Sequence, residues 1–345
     1  MRTRRRVIGV MSAAVVLVLV AVAADLAVAI GSVDRVAADP TEARSLLGLP
    51  DAAPELSTPK WSDPNRPGPD RGSTPVAAPG VYLVVGSDAR LGLDGARADV
   101  LMLGLLPQRT TERPALVSLP RDLWVDDLCN GGRQRLNAAL NGCGEITGAQ
   151  LLGATVEHVT GLRVDHYVEI DLAGFEAVVE AIGGVEVCTE LPTRDRRSGL
   201  DLPGGCLVPS PEQTLAWVRG RHLEEFHAGR WRPVAGSSDL LRNRHQQQVV
   251  LEMLGSLAEL RSPLRLRGVM TRLMDHATLS QGLGVDDLLN LAWTWRQVDP
   301  DAVLRPTIDV VGRTTPGGAQ VLDPADDLRD QFARILADLA VGAES

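Results

Sequence analysis

The chain has 345 residues, 44% of them hydrophobic, and a formal net charge of -9. That is long and apolar enough to bury a sizeable core, which excludes wholesale disorder. The acidic balance argues against a protein that coats nucleic acid, since neutralising phosphates takes a broad positive surface. Lys60 is the lone lysine, so a Walker phosphate loop, which requires one, is also excluded.

MRTRRR opens the chain and is followed by an uncharged, mainly apolar run over 7–24, continued past Asp25 by LAVAI. The run reaches the length of a membrane helix, and the arginines in front of it stay on the cytoplasmic side. Residues 1–30 are therefore expected to form a cytoplasmic stub and a single-pass anchor in the cell membrane, with the rest of the chain extracytoplasmic. A cleaved signal peptide is the alternative, because Ala27-Val28-Ala29 resembles a small-residue cleavage site. Across 31–79 prolines recur without apolar periodicity, the pattern of an extended tether. A short helix near 41–47 is compatible with this stretch, but no core is expected in it.

From residue 80, strands and helices alternate. Runs at 81–86, 100–106 and 115–119 are rich in Val and Leu, as strands buried on both faces are. Helices are predicted at 134–140, 147–160 and 174–182, the last stopped by Gly183 and Gly184. Strands at 166–170 and 185–189 flank that last helix. Pro211 starts another helix, and Ser237 or Ser238 caps a long one from Asp239 to about 260. Beyond it, helices are predicted near 264–274, 285–298 and 324–339, with a strand near 302–311. The predicted organisation is a catalytic core over 80–260 and a C-terminal helical extension over 261–345 packed on the same domain.

Four cysteines fall as Cys129 with Cys143 and Cys188 with Cys206, with no C-x-x-C spacing for a metal. Outside the cytoplasm, sequence-local pairing gives two disulfides; free thiols and a crossed pairing are the alternatives. His222 and His227 in HLEEFH are five apart rather than the four of a zinc-protease helix. They are read as surface or loop histidines.

Two acids stand near strand ends, Asp88 after the first strand and Asp99 at the entrance of the second. Arg121 follows the third. In α/β sheets ligands gather outside the carboxyl ends of strands, and two carboxylates with arginines describe a Mg²⁺ and phosphate site. The structural alternative is that Asp88 and Asp122 cap turns and pair with Arg90 and Arg121. Residues 215–248 carry Arg219, Arg221, Arg230, Arg232, Arg242 and Arg244 against only Glu224, Glu225 and Asp239. Arg219 and Arg221, two apart, share a face only in an extended segment, whereas Asp239, Arg242 and Gln246 share a helical face.

VVGSDAR, RADVLMLGL, ALVSLPRDLWV, RLNAAL, DHYVEIDLAGFEAVVEAIGGVEV, LAWVRGRH and DLLRNRHQQQ follow one another over about 81–251. In that order, behind one membrane helix, they resemble the LytR-CpsA-Psr family of bacterial envelope proteins. The resemblance implies a three-layer α/β/α sandwich around a central mixed β-sheet that holds a polyprenyl-pyrophosphate lipid. It also implies a phosphotransferase that moves a glycopolymer from that lipid to peptidoglycan in cell wall assembly. Carried over motif by motif, Asp88 and Asp99 hold Mg²⁺, while Arg90, Arg121, Arg219, Arg221, Arg242 and Gln246 surround the pyrophosphate; Asp88, Asp99 and Arg121 are the catalytic set. Asp99 and Asp122 are candidates for the hydroxyl proton. The lipid tail calls for an apolar tunnel between the sheet and helices such as 151–159 and 175–182. His245 stands where many relatives have arginine, with Arg244 beside it as a substitute. A polyprenyl-pyrophosphate phosphatase and a non-catalytic lipid-pyrophosphate-binding regulator are the alternative functions.

Overall fold

The structure is a computed structural model and describes residues 34–36, 40–49, 80–88, 98–107, 113–234, 239–259, 269, 272–273, 275–281, 283 and 302–341. Six strands form its central sheet: β1 (Asp34–Val36), β2 (Gly80–Ser87), β3 (Ala98–Leu106), β4 (Ala115–Ser118), β7 (His166–Asp171) and β14 (Ala277–Ser280), in the order β1-β14-β7-β2-β3-β4. β1 with β14 and β7 with β2 are parallel and the other pairs antiparallel, so the sheet is mixed.

Side-chain alternation on β2 separates the two faces. Val81, Leu83 and Val85 are buried, whereas Tyr82, Val84 and Gly86 between them are half-buried, the period of two that a pleated strand imposes. The buried face packs with Leu103 and Val117 against α1 (Pro40–Leu46), α2 (Gly148–Thr160) and α6 (Leu328–Val341), through Ala43, Leu151, Leu152, Val156 and Phe332. The other face is covered by α3 (Leu172–Ile182), α4 (Pro211–Arg219) and α5 (Asp239–Glu259). There Val250 and Leu251 meet Val84, Val100 and Met102, and Val178 and Val179 meet Trp217 and Val218. The result is α/β/α layering. β2 departs from the two-sided burial predicted for it, because a cavity lies on its second face.

Local chemistry explains the helix limits. Thr147 and Gln150 form a reciprocal capping box on α2, which ends at Gly161 in a left-handed conformation. Asp171 caps α3, its Oδ1 accepting from Gly174 N at 2.6 Å. A Cβ at Gly174 would lie 2.5 Å from His276 Cβ, so only glycine fits under this cap. Ser210 caps α4 ahead of Pro211.

Smaller sheets surround the sandwich. β5 (Trp124–Asp126) and β6 (Arg133–Arg135) form a hairpin that runs into a 3₁₀ helix (Leu136–Asn141). β9 (Thr193–Asp195), β10 (Leu200–Leu202), β12 (Glu224–His227) and β13 (Arg230–Pro233) form a sheet in the order β10-β9-β12-β13. β8 (Val187–Thr189) pairs with β11 (Gly205–Leu207), and β15 (Val310–Thr314) with β16 (Gln320–Pro324). Both sequence-local disulfides form, Cys129–Cys143 and Cys188–Cys206, the latter joining directly opposed strand positions. Each closes a short loop and contributes about 3 kcal/mol on the chain-entropy estimate.

Four expectations are corrected. Part of 31–79 is not tether: β1 extends the central sheet, and α1 docks with Ala43 fully buried and Arg44 Nη1 2.5 Å from Glu157 Oε2. The C-terminal part is not a helical extension alone, since β14 lies inside the central sheet and β15 and β16 form a hairpin; the strand expected near 302–311 begins only at Val310. The predicted helix at 134–140 opens as strand over its first two residues, because Arg133–Arg135 pair with β5, and continues as a 3₁₀ helix. The long apolar face of 151–159 faces away from the cavity described below. The helices predicted at 264–274 and 285–298 lie wholly or largely outside the described residues. So does the 7–24 run; among the described residues no helix is long and apolar enough to cross a membrane.

Candidate functional site

Four strand ends meet at one edge of the central sheet. Ser87 pairs with Ala98 on β3 and with Asp171 on β7, so Asp88, Asp99 and Asp171 are gathered at the carboxyl end of β2. β4 leaves the sheet at the same edge, with Leu119 N donating to Leu101 O at 2.8 Å, and delivers Arg121 to Asp99, with which it forms a hydrogen-bonded ion pair.

A cavity of about 280 Å³ opens at this edge and runs between the second sheet face and α3, α4 and α5. Its polar lining is Asp99, Arg121, Asp171, Arg219, Arg221, Arg242 and Gln246; its apolar lining includes Val84, Val100, Ile170, Phe175, Val178, Leu215, Val250 and Met253. Gly86 also borders it, and a Cβ there would sit 2.9 Å from Val100 Cβ. The site is therefore amphipathic, a cationic mouth on an apolar body. That is the complement of an anionic head on a hydrocarbon tail.

Of the residues singled out in the sequence, Asp99, Arg121, Arg219, Arg221, Arg242 and Gln246 are brought together on this cavity. Asp88 lies next to it, half-buried after β2. Arg90 lies outside the described residues. Arg219 ends α4, and Gly220 then turns extended, at φ -60° and ψ 124°; this is the extended step that lets Arg219 and Arg221 serve one site. Gln246 donates through Nε2 to Val218 O at 3.1 Å, fastening α5 to the end of α4. Of the two helices named for a tunnel, 175–182 lines the cavity through Phe175 and Val178, whereas α2 belongs to the opposite layer.

Three residues take parts the sequence did not reveal. Asp195 is 1% exposed; its Oδ2 accepts from Arg221 N and His222 N, each at 2.8 Å, and its Oδ1 from Arg197 N at 2.8 Å and Ser198 N at 3.4 Å. Burial pushes this carboxyl up, but the backbone donors of His222, Arg197, Arg221 and Ser198 outweigh it and hold it below the usual carboxylate range. It anchors the turn that carries Arg221. Asp171, just beyond the strand expected at 166–170, was given no role, yet it both caps α3 and borders the cavity. Asp122 collects arginines, with Arg135 Nε at 3.3 Å, Arg121 Nε at 3.6 Å and Arg221 Nη2 at 4.0 Å. Adjacency in sequence shows Arg121 beside Asp122; only the fold adds Arg135 and Arg221.

His245 is buried and stacked on Trp217, with ring centroids 3.8 Å apart and planes 17° apart. Burial lowers its pKa to about 4 against a smaller opposing contribution from the Trp217 backbone, so it is neutral at pH 7. It packs α5 on α4, and Arg244 beside it is exposed; neither lines the cavity. Arg230 and Arg232 project from β13 and are exposed. His227 pairs with Arg230 across the β12–β13 turn, and Arg197 Nη1 lies 2.8 Å from His222 Nε2, which fits their reading as surface histidines.

The model of the LytR-CpsA-Psr family matches residues 73–337. The chain belongs to that family. LytR-CpsA-Psr relatives include the "Probable cell wall biosynthesis protein LcpB" of Corynebacterium glutamicum, 32% identical over 230 residues that cover 62% of this chain and 51% of that protein. Another is "Polyisoprenyl-teichoic acid--peptidoglycan teichoic acid transferase TagU" of Enterococcus faecalis, 28% identical over 211 residues, 61% of this chain and 62% of that protein. The chain thus spans between half and two thirds of the length of these curated relatives. Among solved structures, the "LytR-Csp2A-Psr enzyme from Actinomyces oris" superposes with a TM-score of 0.61 at 26% identity, covering 74% of this chain and 89% of that one. The mixed α/β fold with its central mixed sheet is therefore the LytR-CpsA-Psr fold.

For a divalent cation the donor set is suitable. Asp88 follows β2 and Asp99 stands at the start of the neighbouring β3, whose paired ends meet at the cavity that Asp99 lines, and hard carboxylate oxygens together with phosphate oxygens suit Mg²⁺. Among the described residues, the cluster Glu186, Cys188 and Cys206 is no rival centre, because its two sulfurs are joined as a disulfide.

Proposed function

We propose that this protein is a membrane-anchored, Mg²⁺-dependent phosphotransferase that moves a glycopolymer from a polyprenyl-pyrophosphate carrier to peptidoglycan. The observation that carries the proposal is the cavity's division into an arginine mouth and an apolar body. The names of two relatives support the reading: LcpB is called a probable cell wall biosynthesis protein and TagU a polyisoprenyl-teichoic acid–peptidoglycan teichoic acid transferase. In this reading residues 7–24 hold the domain at the membrane that supplies the lipid, with the N-terminus cytoplasmic.

Arg121, Arg219, Arg221 and Arg242 bind the pyrophosphate, since guanidinium forks meet phosphate oxygens at two points. Val84, Val100, Phe175, Val250 and Met253 take the first part of the lipid tail. An acceptor hydroxyl attacks the sugar-side phosphorus, an O–P bond forms, and the bond from that phosphorus to the bridging oxygen breaks. Polyprenyl phosphate leaves, and the arginines stabilise the charge that grows on it. Asp99 or Asp122, each beside Arg121, would receive the hydroxyl proton. Asp88 and Asp99 would hold Mg²⁺, which supplies charge neutralisation at the phosphates when bound.

The test is a reconstituted assay with lipid-linked glycopolymer, peptidoglycan and Mg²⁺. Arg121→Ala is expected to lower transfer by about 10²-fold or more while the circular dichroism spectrum is kept. Full transfer by a folded Arg121→Ala chain would sink the proposal. Release of free phosphorylated glycopolymer irrespective of acceptor would favour the phosphatase instead, and lipid binding with no turnover the non-catalytic regulator.

A further inference from the structure

We propose that a second cavity, of about 390 Å³, between the β5–β6 hairpin, the end of α2 and the start of α6, is a subsite for a neutral, N-acetylated glycan strand. The inference deepens the reading above, as the acceptor side of the same transfer, and rests on it. Trp124, Asp126, Arg133, His158, Asp327 and Arg329 line the cavity, with Val125 and Val159 in its floor.

Its charges balance, two arginines against two aspartates, so an anion gains nothing here that it does not gain far better at the arginine mouth of the first cavity. A pyranose ring needs what this lining offers. Its hydroxyl and amide groups require donors and acceptors side by side, and its C–H face packs on an aromatic ring. The polar groups are also held in place before any ligand arrives. His158 Nε2 lies 3.5 Å from Asp126 Oδ2, Arg133 Nη1 lies 3.3 Å from Asp323 Oδ1, and Arg329 donates to His158 O at 2.8 and 3.2 Å. Such preorganisation lowers the entropy lost on binding.

Placement links the cavity to the reaction. Trp124 stands three positions after Arg121, at most about 10 Å of chain. Trp124 pairs across the hairpin with Arg135, which reaches Asp122 at the mouth. β16 runs alongside, with Leu322 N donating to Asp122 O at 3.0 Å and Pro324 bordering the second cavity. The β5–β6 hairpin thus links the second cavity, on the α2 and α6 side of the sheet, to the turn that carries Arg121 and Asp122; in this proposal a glycan seated on Trp124 extends along it toward the phosphate.

Calorimetric titration of the full chain with the soluble β-1,4-linked tetramer of N-acetylglucosamine tests this, with geranylgeranyl pyrophosphate as the probe of the first cavity. Saturable tetramer binding is expected, weakened at least about tenfold by Trp124→Ala and unchanged by Arg219→Ala, with the reverse pattern for the pyrophosphate. Asp126→Asn, on an exposed side chain, gives a second variant expected to weaken the tetramer if Trp124→Ala does not fold. Absence of tetramer binding, equal binding by the folded variants, or displacement of the tetramer by the pyrophosphate would each overturn the subsite. Loss of pyrophosphate binding alone would instead count against the proposed function and leave the sugar site standing.

Discussion

Asp195 lies off the cavity yet anchors the turn that carries Arg221, one of its lining residues. An asparagine there keeps one acceptor oxygen but turns an amide toward backbone N–H groups that need acceptors, and leaving a buried donor unmatched costs about 1–3 kcal/mol. Asp195→Asn is expected to weaken pyrophosphate binding about tenfold. If it acts through Arg221, Asp195→Asn added to Arg221→Ala weakens binding little further, whereas general damage to the fold would add in full; titration of the three variants decides. His245 gives a pH dependence. Its folded value of about 4 lies below the ordinary histidine value of 6.5, so from pH 6.5 down to about 4 the unfolded chain binds more protons and stability falls by up to about 1.4 kcal/mol per pH unit. His245→Phe keeps a ring on Trp217 and removes the titration. Thermal melts at pH 7.5 and 5 should show a smaller drop for the variant than for the natural chain. Asp99 and Arg121 were legible in the sequence because each stands at the end of an apolar run, where ligand residues collect. Asp195 was not, because what marks it is a set of backbone donors from two separate turns, and backbone donors leave no trace in side-chain identity.

Among the elements, α1 departs furthest from its sequence. Proline recurrence reads as tether, and a short helix near 41–47, though compatible with the sequence, carried no sign of a core contact. Tertiary contact settles it, with Arg44 only 8% exposed and bridged to Glu157, whose Oε1 also accepts from Val164 N at 2.8 Å. Gln150 Nε2 donates to Glu42 Oε2 at 3.0 Å as well. Removing one partner of a buried pair strands the other charge, so Arg44→Ala is expected to destabilise the chain by about 3–5 kcal/mol in urea unfolding. A change below about 0.5 kcal/mol would return 40–46 to the tether. α4 and α5, by contrast, were legible in advance: Ser210 with Pro211 starts one, and the spacing of Arg242 and Gln246 places both on one face of the other. The hairpin of β12 and β13 between them was hidden by its charge, since Glu225 opposite Arg232 and His227 opposite Arg230 read in one dimension as a solvated run.

At the scale of the whole molecule, the central sheet divides two kinds of interior. One face meets α1, α2 and α6 in a filled core; the other meets α3, α4 and α5 across a cavity with charge at its mouth. Both 151–159 and 175–182 carry an apolar run in sequence, so both were candidates for a lipid wall. Which of them faces the cavity depends on the hand and order of the strand connections and on the packing of α5, none of which is local. The chain by itself determined the alternation of strands and helices, the order of motifs that marks the family and the acids and arginines at strand ends, because each follows from side-chain periodicity or near-neighbour spacing; it offered the two short disulfide loops as one pairing among others. Tertiary structure alone decided that β1, α1 and β14 belong to the domain, that Asp195 and Asp122 organise the arginines, and that the cavity lies on the second face of β2. Those features rest on contacts between residues far apart in the chain, and the free energy of such a contact is set by where folding brings its partners.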